Sequence, residues 1–146
     1  MVPGAIERIN ASIKQRDFWM PFAPAVLDID AKKYVHIPKS LESKENPSPY
    51  MMFVMDSIEN KQNYMSAALH KFDKSARVEI VDRKHAPKLY DLIRHFKKRT
   101  SRSCVLNTSF NIHGSPIVRT VEEAIKVLID SSLDALVVDG YIIEKR

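Results

Sequence analysis

The sequence predicts a chain of the mixed α/β (or α+β) class, in which helices cover a mixed sheet. Two observations carry this. The segments 87–99 and 120–129 place apolar residues at helical spacing, whereas shorter segments at 25–27, 50–55, 77–81, 104–106 and 135–143 show the apolar runs or alternation of strands. The two kinds of segment also interleave along the chain instead of separating into blocks.

The elements follow in order. Between Gly4 and Ile13, Ala5, Ile6, Ile9 and Ile13 recur at helical spacing, and Pro3 suits a first turn. From Lys14 to Leu27, Phe18, Trp19, Pro21, Phe22, Pro24 and Val26 have no helical period. This stretch reads as extended chain ending in a short strand near 25–27. The polar segment 36–49, with Pro38, Pro47 and Pro49, reads as a mobile lid or binding loop. Tyr50 to Met55 is an apolar run of strand length, with Met51, Met52 and Met55 assigned to the core, and 59–64 reads as a loop. Arg77 to Val81 alternates as one half-buried strand, Val78 and Ile80 on one face. Pro87 to Arg99 is a helix with the stripe Leu89, Leu92, Ile93 and Phe96. Cys104 to Leu106 is a buried strand. Thr120 to Ile129 is a helix opened by a capping box, Thr120 with Glu123, and striped by Val121, Ala124, Ile125, Leu128 and Ile129. Ala135–Val138 and Tyr141–Ile143 form a hairpin closed by Asp139-Gly140.

A chain of 146 residues suits one domain, 1–146, large enough to bury a core. No apolar run approaches the roughly 20 residues of a membrane helix. The start lacks the basic and apolar regions of a signal peptide. A single cysteine, Cys104, excludes an internal disulfide framework. These features suit a cytoplasmic protein. The net charge of +5 suits anionic partners, namely phosphates, nucleotides or nucleic acid.

Three segments are candidates for chemistry. Lys14 and Arg16, two apart in extended chain, would share a face and clamp a phosphate or carboxylate; the same pair also suits a solvated helix C-terminus. Asn107-Thr-Ser-Phe-Asn111 follows a buried strand. Ser109 and Asn111 could hydrogen-bond phosphate or carbamoyl oxygens, with Asn107, Thr108 and His113 alongside, or the segment could be a polar turn. His70, Asp73 and Arg77 gather a proton donor, a carboxylate and a phosphate-binding cation, or form a solvated charged loop. His36, His85 and His95 read as surface groups, and Cys104 as core. No HExxH or CxxC spacing occurs, so no metal site is expected. With three glycines and no GxxxxGK[ST] loop, any nucleotide site must be built from side chains and non-glycine backbone.

Taken together, Ile9-Asn-Ala-Ser-Ile-Lys-Gln-Arg16, Phe18-Trp-Met-Pro-Phe-Ala-Pro-Ala-Val-Leu27, Ser48-Pro-Tyr-Met51, His70-x-x-Asp73-x-x-x-Arg77, Asn107-Thr-Ser-Phe-Asn111, Gly114-x-Pro-Ile-Val118 and Leu133-Asp-Ala-Leu136 resemble the C-terminal domain of the O-carbamoyltransferases of nodulation-factor, cephamycin and tobramycin carbamoylation (the NodU/CmcH class). The resemblance covers nearly the whole chain. It implies a YrdC-like fold, a twisted open sheet with flanking helices around a positively charged cavity. There Lys14 and Arg16, with Ser109 and Asn111, would form the ligand site. It also implies that ATP and carbamoyl phosphate, with Mg2+, give carbamoyl adenylate. The carbamoyl group would then pass to a hydroxyl in a separate N-terminal domain of sugar-kinase-like fold. That domain is not in this sequence, so the expectation is a domain of a longer enzyme.

The sequence departs from the family at Met20, where arginine is usual, at Ser115, where glutamate is usual, and at Lys74-Ser75, where Gly-Thr is usual. Loss of an arginine would weaken phosphate binding. Two other readings stay open. One is a threonylcarbamoyl-adenylate synthase relative using bicarbonate and threonine. The other is a non-catalytic basic module that binds RNA, against which the scattered cations and proline-flanked aromatics weigh.

Overall fold

A computed structural model of the chain describes residues 4–15, 17 and 20–145. Pro3, Arg16, Phe18 and Trp19 lie outside the described residues, as do the side chains of Ala5 and Ile6. The helices are α1 (Ala5–Ile9), α2 (Ala31–Tyr34), α3 (Gln62–Met65), α4 (Pro87–Thr100) and α5 (Val121–Asp130). The strands are β1 (Ala23–Leu27), β2 (Val54–Asp56), β3 (Ser75–Arg77), β4 (Glu79–Val81), β5 (Cys104–Asn107), β6 (Ala135–Val138) and β7 (Tyr141–Glu144). The mixed class read from the sequence holds: small open sheets are flanked by helices. The chain folds as two compact units. One holds the described residues from 20 to 108; the other joins those from 4 to 17 with 109–145.

In the first unit β1 is the middle strand, parallel to β4 and antiparallel to β5. All five of its residues are buried, as the unbroken run Ala-Pro-Ala-Val-Leu requires of a strand covered on both faces. Pro24 is tolerated because β4 pairs only from Ala25 onward, so its missing N–H falls where β1 has one neighbour. Alternate residues serve two cores. Val26, Ile80 and Cys104 pack with Tyr34, Met55 and Met65; Ala25, Leu27 and Val81 pack with Ile93 of α4. The carboxylate of Asp30, 3% exposed, joins the two ends of this layer by accepting from Lys33 (2.7 Å) and Lys97 (2.5 Å).

Several expectations shift here. The segment 77–81 is two strands. Arg77 ends β3, which pairs with β2, and Glu79 begins β4 in the other sheet. Val78 links them, fully buried beside Ile80, so the alternation survived while the backbone partner changed. Of Tyr50–Met55 only the end is strand. Met51 takes a left-handed φ of 54°, which breaks the extended run and leaves Tyr50 and Met52 exposed, while Met55 is core. Residues 59–65 form a 3-10 turn and α3, with Met65 buried, where a loop was expected. In α4, Ile93 is buried but Leu92 is 57% exposed, because Leu89, Tyr90 and Ile93 supply the packed stripe. The end of the 36–49 loop is pinned to β4: Asn46 Nδ2 donates to the Ile80 carbonyl (2.8 Å) and Ile80 N–H to the Ser48 carbonyl (2.8 Å).

In the second unit α1 runs straight into a π-turn, Asn10–Lys14. Gln15 closes it with a left-handed φ of 44°, its N–H donating to the Asn10 carbonyl five residues back (2.9 Å). Lys14 therefore ends a helical turn and is not extended as the sequence suggested. The α5 cap forms as expected on one side: Thr120 Oγ1 accepts from Glu123 N–H (3.2 Å). The Glu123 carboxylate reaches one residue further back, to Arg119 N–H (2.8 Å). The buried face of α5 is Ala124, Val127 and Leu128; Val121 and Ile129 point to solvent. That face packs with Leu136, Phe110, Val118 and Ile143. The hairpin of β6 and β7 turns at Asp139 (φ 46°) and Gly140 (φ 87°), the pair of positive φ values that a two-residue loop with this twist requires.

Candidate anion-binding site

The second unit gathers three of the predicted residues around one atom. Lys14, only 3% exposed, donates from Nζ to Asn111 Oδ1 (2.6 Å) and to Ser109 Oγ (3.0 Å). Ser109 Oγ in turn donates to Asn111 Oδ1 (2.7 Å). The Asn111 carboxamide is fixed at its other end, where Nδ2 donates to the carbonyls of Ser115 (2.8 Å) and Ile112 (3.2 Å).

The local backbone explains how these groups meet. The π-turn carries Lys14 inward at the end of its helix, where a cation also meets the negative end of the backbone dipole. The opposing loop is tied down by His113 N–H donating to the Ile13 carbonyl (2.8 Å) and by Val118 N–H donating to that of Phe110 (3.0 Å). His113 thus contributes its backbone, and its imidazole is exposed. Burial grades from Lys14, enclosed, through Asn111, half-buried, to Ser109, exposed, so the cluster is open on the hydroxyl side.

Chemically this is a cation with two donors converging on one carbonyl oxygen. The Lys14 ammonium and the Ser109 hydroxyl both point at Asn111 Oδ1, which stands where an anionic oxygen could take the same donors. A unit negative charge about 4 Å from such a cation gains about 4 kcal/mol at an effective dielectric of about 20. Sequence reasoning missed the Asn10 and Ser115 carbonyls, which set the π-turn and the Asn111 rotamer; neither carries a side-chain signal. Arg16 lies outside the described residues.

The other candidates belong to the first unit. His70 Nδ1 lies 3.0 Å from Asp73 Oδ1, which also accepts from Ser75 N–H (2.9 Å) and Oγ (2.7 Å). The Ser75 hydroxyl and N–H, helped by His70, hold the Asp73 carboxyl down at about 2. Arg77 is exposed on β3. Asn107 Nδ2 donates to Glu79 Oε2 (2.5 Å), a bridge from β5 to β4 past the central strand. Thr108 is half-buried directly after it. Burial pushes the Cys104 thiol up to about 12, which leaves it unsuited to nucleophilic work. Among the described residues, no group of three or more His, Cys, Asp or Glu side chains is placed to hold a metal ion. Lys14, Ser109 and Asn111 include no carboxylate, so they do not fit a protein-held divalent cation. Among the described residues, no helix is long and apolar enough to cross a membrane.

Comparison with known proteins places the chain. The family described as carbamoyltransferase C-terminus matches residues 2–145. The nodulation protein NolO of Bradyrhizobium diazoefficiens is 41% identical over 140 residues, 96% of this chain and 25% of that protein. The nodulation protein NolNO of Sinorhizobium fredii is 39% identical over 140 residues, 96% of this chain and 20% of its own length. An uncharacterized protein of Methanocaldococcus jannaschii is 33% identical over 144 residues, 99% of this chain and 22% of its own. The chain therefore spans about a fifth to a quarter of the length of these relatives. With the family matched from end to end of the described residues, the chain belongs to the carbamoyltransferase C-terminus family.

Proposed function

We propose that this chain is the part of an O-carbamoyltransferase that binds ATP and carbamoyl phosphate and forms carbamoyl adenylate, for delivery to a hydroxyl acceptor held by a separate sugar-kinase-like domain. The observation that supports this most is the Lys14–Ser109–Asn111 cluster, a buried cation tied to partners 95 and 97 residues away in sequence. A bare structural lysine would be an expensive choice there, because burying a cation costs several kcal/mol. An anion returns that energy. In this reading Lys14 and Arg16 offset the charge of two phosphate-bearing substrates, and Ser109 and Asn111 orient the carbamoyl and phosphate oxygens. Magnesium would arrive on the phosphates of ATP, since the cluster has no carboxylate for it. His70 and Arg77 would supply further phosphate contacts, and Asp73 would orient His70.

The test is pyrophosphate release from ATP with carbamoyl phosphate, run against bicarbonate plus threonine. Release with carbamoyl phosphate that is lost in Ser109→Ala is the expected result. Release only with bicarbonate and threonine would move the chain to threonylcarbamoyl-adenylate chemistry. No release with either, together with no ATP-induced rise in Tm, would refute the reading.

A further inference from the structure

A cavity of about 230 Å³ opens in the second unit between the 112–119 loop and α5. Ile112, Pro116, Ile117, Val118 and Val127 wall it. Its rim carries two ion pairs, Arg119–Glu123 (3.7 Å) and Lys126–Asp130 (3.1 Å). These charges cancel, so the cavity does not select a second anion. Its volume is below the roughly 300–1,000 Å³ of sites that enclose drug-sized ligands. It suits a single flat ring system with apolar faces.

Three further features define that ring. First, the cavity adjoins the Lys14 cluster. Ser115, part of the wall, accepts through its carbonyl from Asn111 Nδ2 (2.8 Å), and the other end of the same carboxamide accepts from Lys14 Nζ (2.6 Å). Cation and wall are thus separated by two hydrogen bonds and one amide, about 8 Å at most. Second, the backbone donors of the wall are spent. Ser115 N–H goes to the Ile112 carbonyl, Val118 N–H to that of Phe110 and Arg119 N–H to Glu123, and Pro116 has none. Third, an acceptor remains. Glu123 is committed to the α5 cap, but Asp130 is engaged only through Oδ2, by Lys126, among the described contacts.

We propose that this cavity is the base subsite of a nucleotide whose phosphates lie at Lys14, and that it takes a base with an exocyclic amine, donated to Asp130. The inference rests on the reading of the Lys14 cluster as a phosphate centre. A base with a keto oxygen at the same position would meet a carboxylate and no unspent backbone donor.

Titration calorimetry with ATP, inosine triphosphate and tripolyphosphate tests it. ATP should bind about tenfold more tightly than inosine triphosphate, the worth of one hydrogen bond to a charged group. Asp130→Asn should narrow that gap. Ile117→Trp, at a position 62% exposed and therefore tolerant of bulk, should bring ATP toward the affinity of tripolyphosphate and leave tripolyphosphate unchanged. Equal binding of all three ligands by the parent chain, or ATP binding indifferent to Ile117→Trp, would overturn the base subsite alone. Failure of all three to bind would overturn the Lys14 reading, and this inference with it.

Discussion

Replacing Lys14 by methionine separates a structural lysine from a ligand-binding one. Methionine keeps most of the length of a side chain that is 3% exposed, and removes the charge. Two charge-assisted hydrogen bonds are lost, to Ser109 and Asn111, each worth about 1.5–3 kcal/mol. The desolvation cost of a buried cation, several kcal/mol, disappears with them. Ser109 and Asn111 keep their mutual bond of 2.7 Å and the Asn111 contacts to backbone. The net change in stability should therefore stay within about 2 kcal/mol. Anion binding should respond quite differently. Loss of about 4 kcal/mol of attraction is about a thousandfold in affinity. The assay pairs urea unfolding with calorimetric titration of tripolyphosphate. A K14M chain that unfolds several kcal/mol earlier yet binds tripolyphosphate like its parent would show Lys14 to be structural, and would remove the basis of the functional reading.

Three other outcomes follow from the same geometry. Asn107→Asp would set a carboxylate against Glu79 Oε2, now 2.5 Å from the amide; it should cost at least about 2 kcal/mol in urea unfolding and be rescued by Glu79→Gln. Tripolyphosphate binding that also collapses in this variant would restore Asn107 as a ligand residue. Thr120→Ala should lower the urea midpoint by the equivalent of about 1 kcal/mol with m unchanged, since it removes the acceptor for Glu123 N–H. Burial pushes the Asp30 carboxyl up, but Lys33, Lys97 and Ser103 outweigh it and hold it down at about 2. The depressed value means that this carboxylate contributes stability above its unfolded pKa near 3.9 and loses it as pH falls through about 2. Asp30→Asn should accordingly cost about 2 kcal/mol above pH 5, and the difference from the parent should vanish toward pH 2 in acid unfolding.

Much of this molecule was legible because its signals are local. The hairpin announced itself through Asp139-Gly140, whose positive φ values few other pairs accept. The α5 cap was legible in Thr120 and Glu123, and the buried β1 and β5 in their unbroken apolar runs. What failed depends on partners distant in sequence. Arg77–Val81 has one apolar rhythm, yet it serves two sheets, because strand pairing is decided by neighbours and not by side-chain alternation. Leu92, Val121 and Ile129 fit their stripes, but the width of the packed face is set by what lies opposite. At the site, Lys14 and the Ser109–Asn111 pair were each legible as polar candidates. Their convergence was not, since it depends on a π-turn that no residue type encodes.

That π-turn makes the site sensitive to length as well as to residue identity. Five residues occupy a turn that an α-helix would close with four. Deleting one of them would let the segment resume regular α-helical bonding, while rotating Lys14 by about 100° around the axis, away from Ser109 and Asn111. The irregular turn acts as a spacer, and the change that repairs the helix is the one that disconnects the cation from its loop.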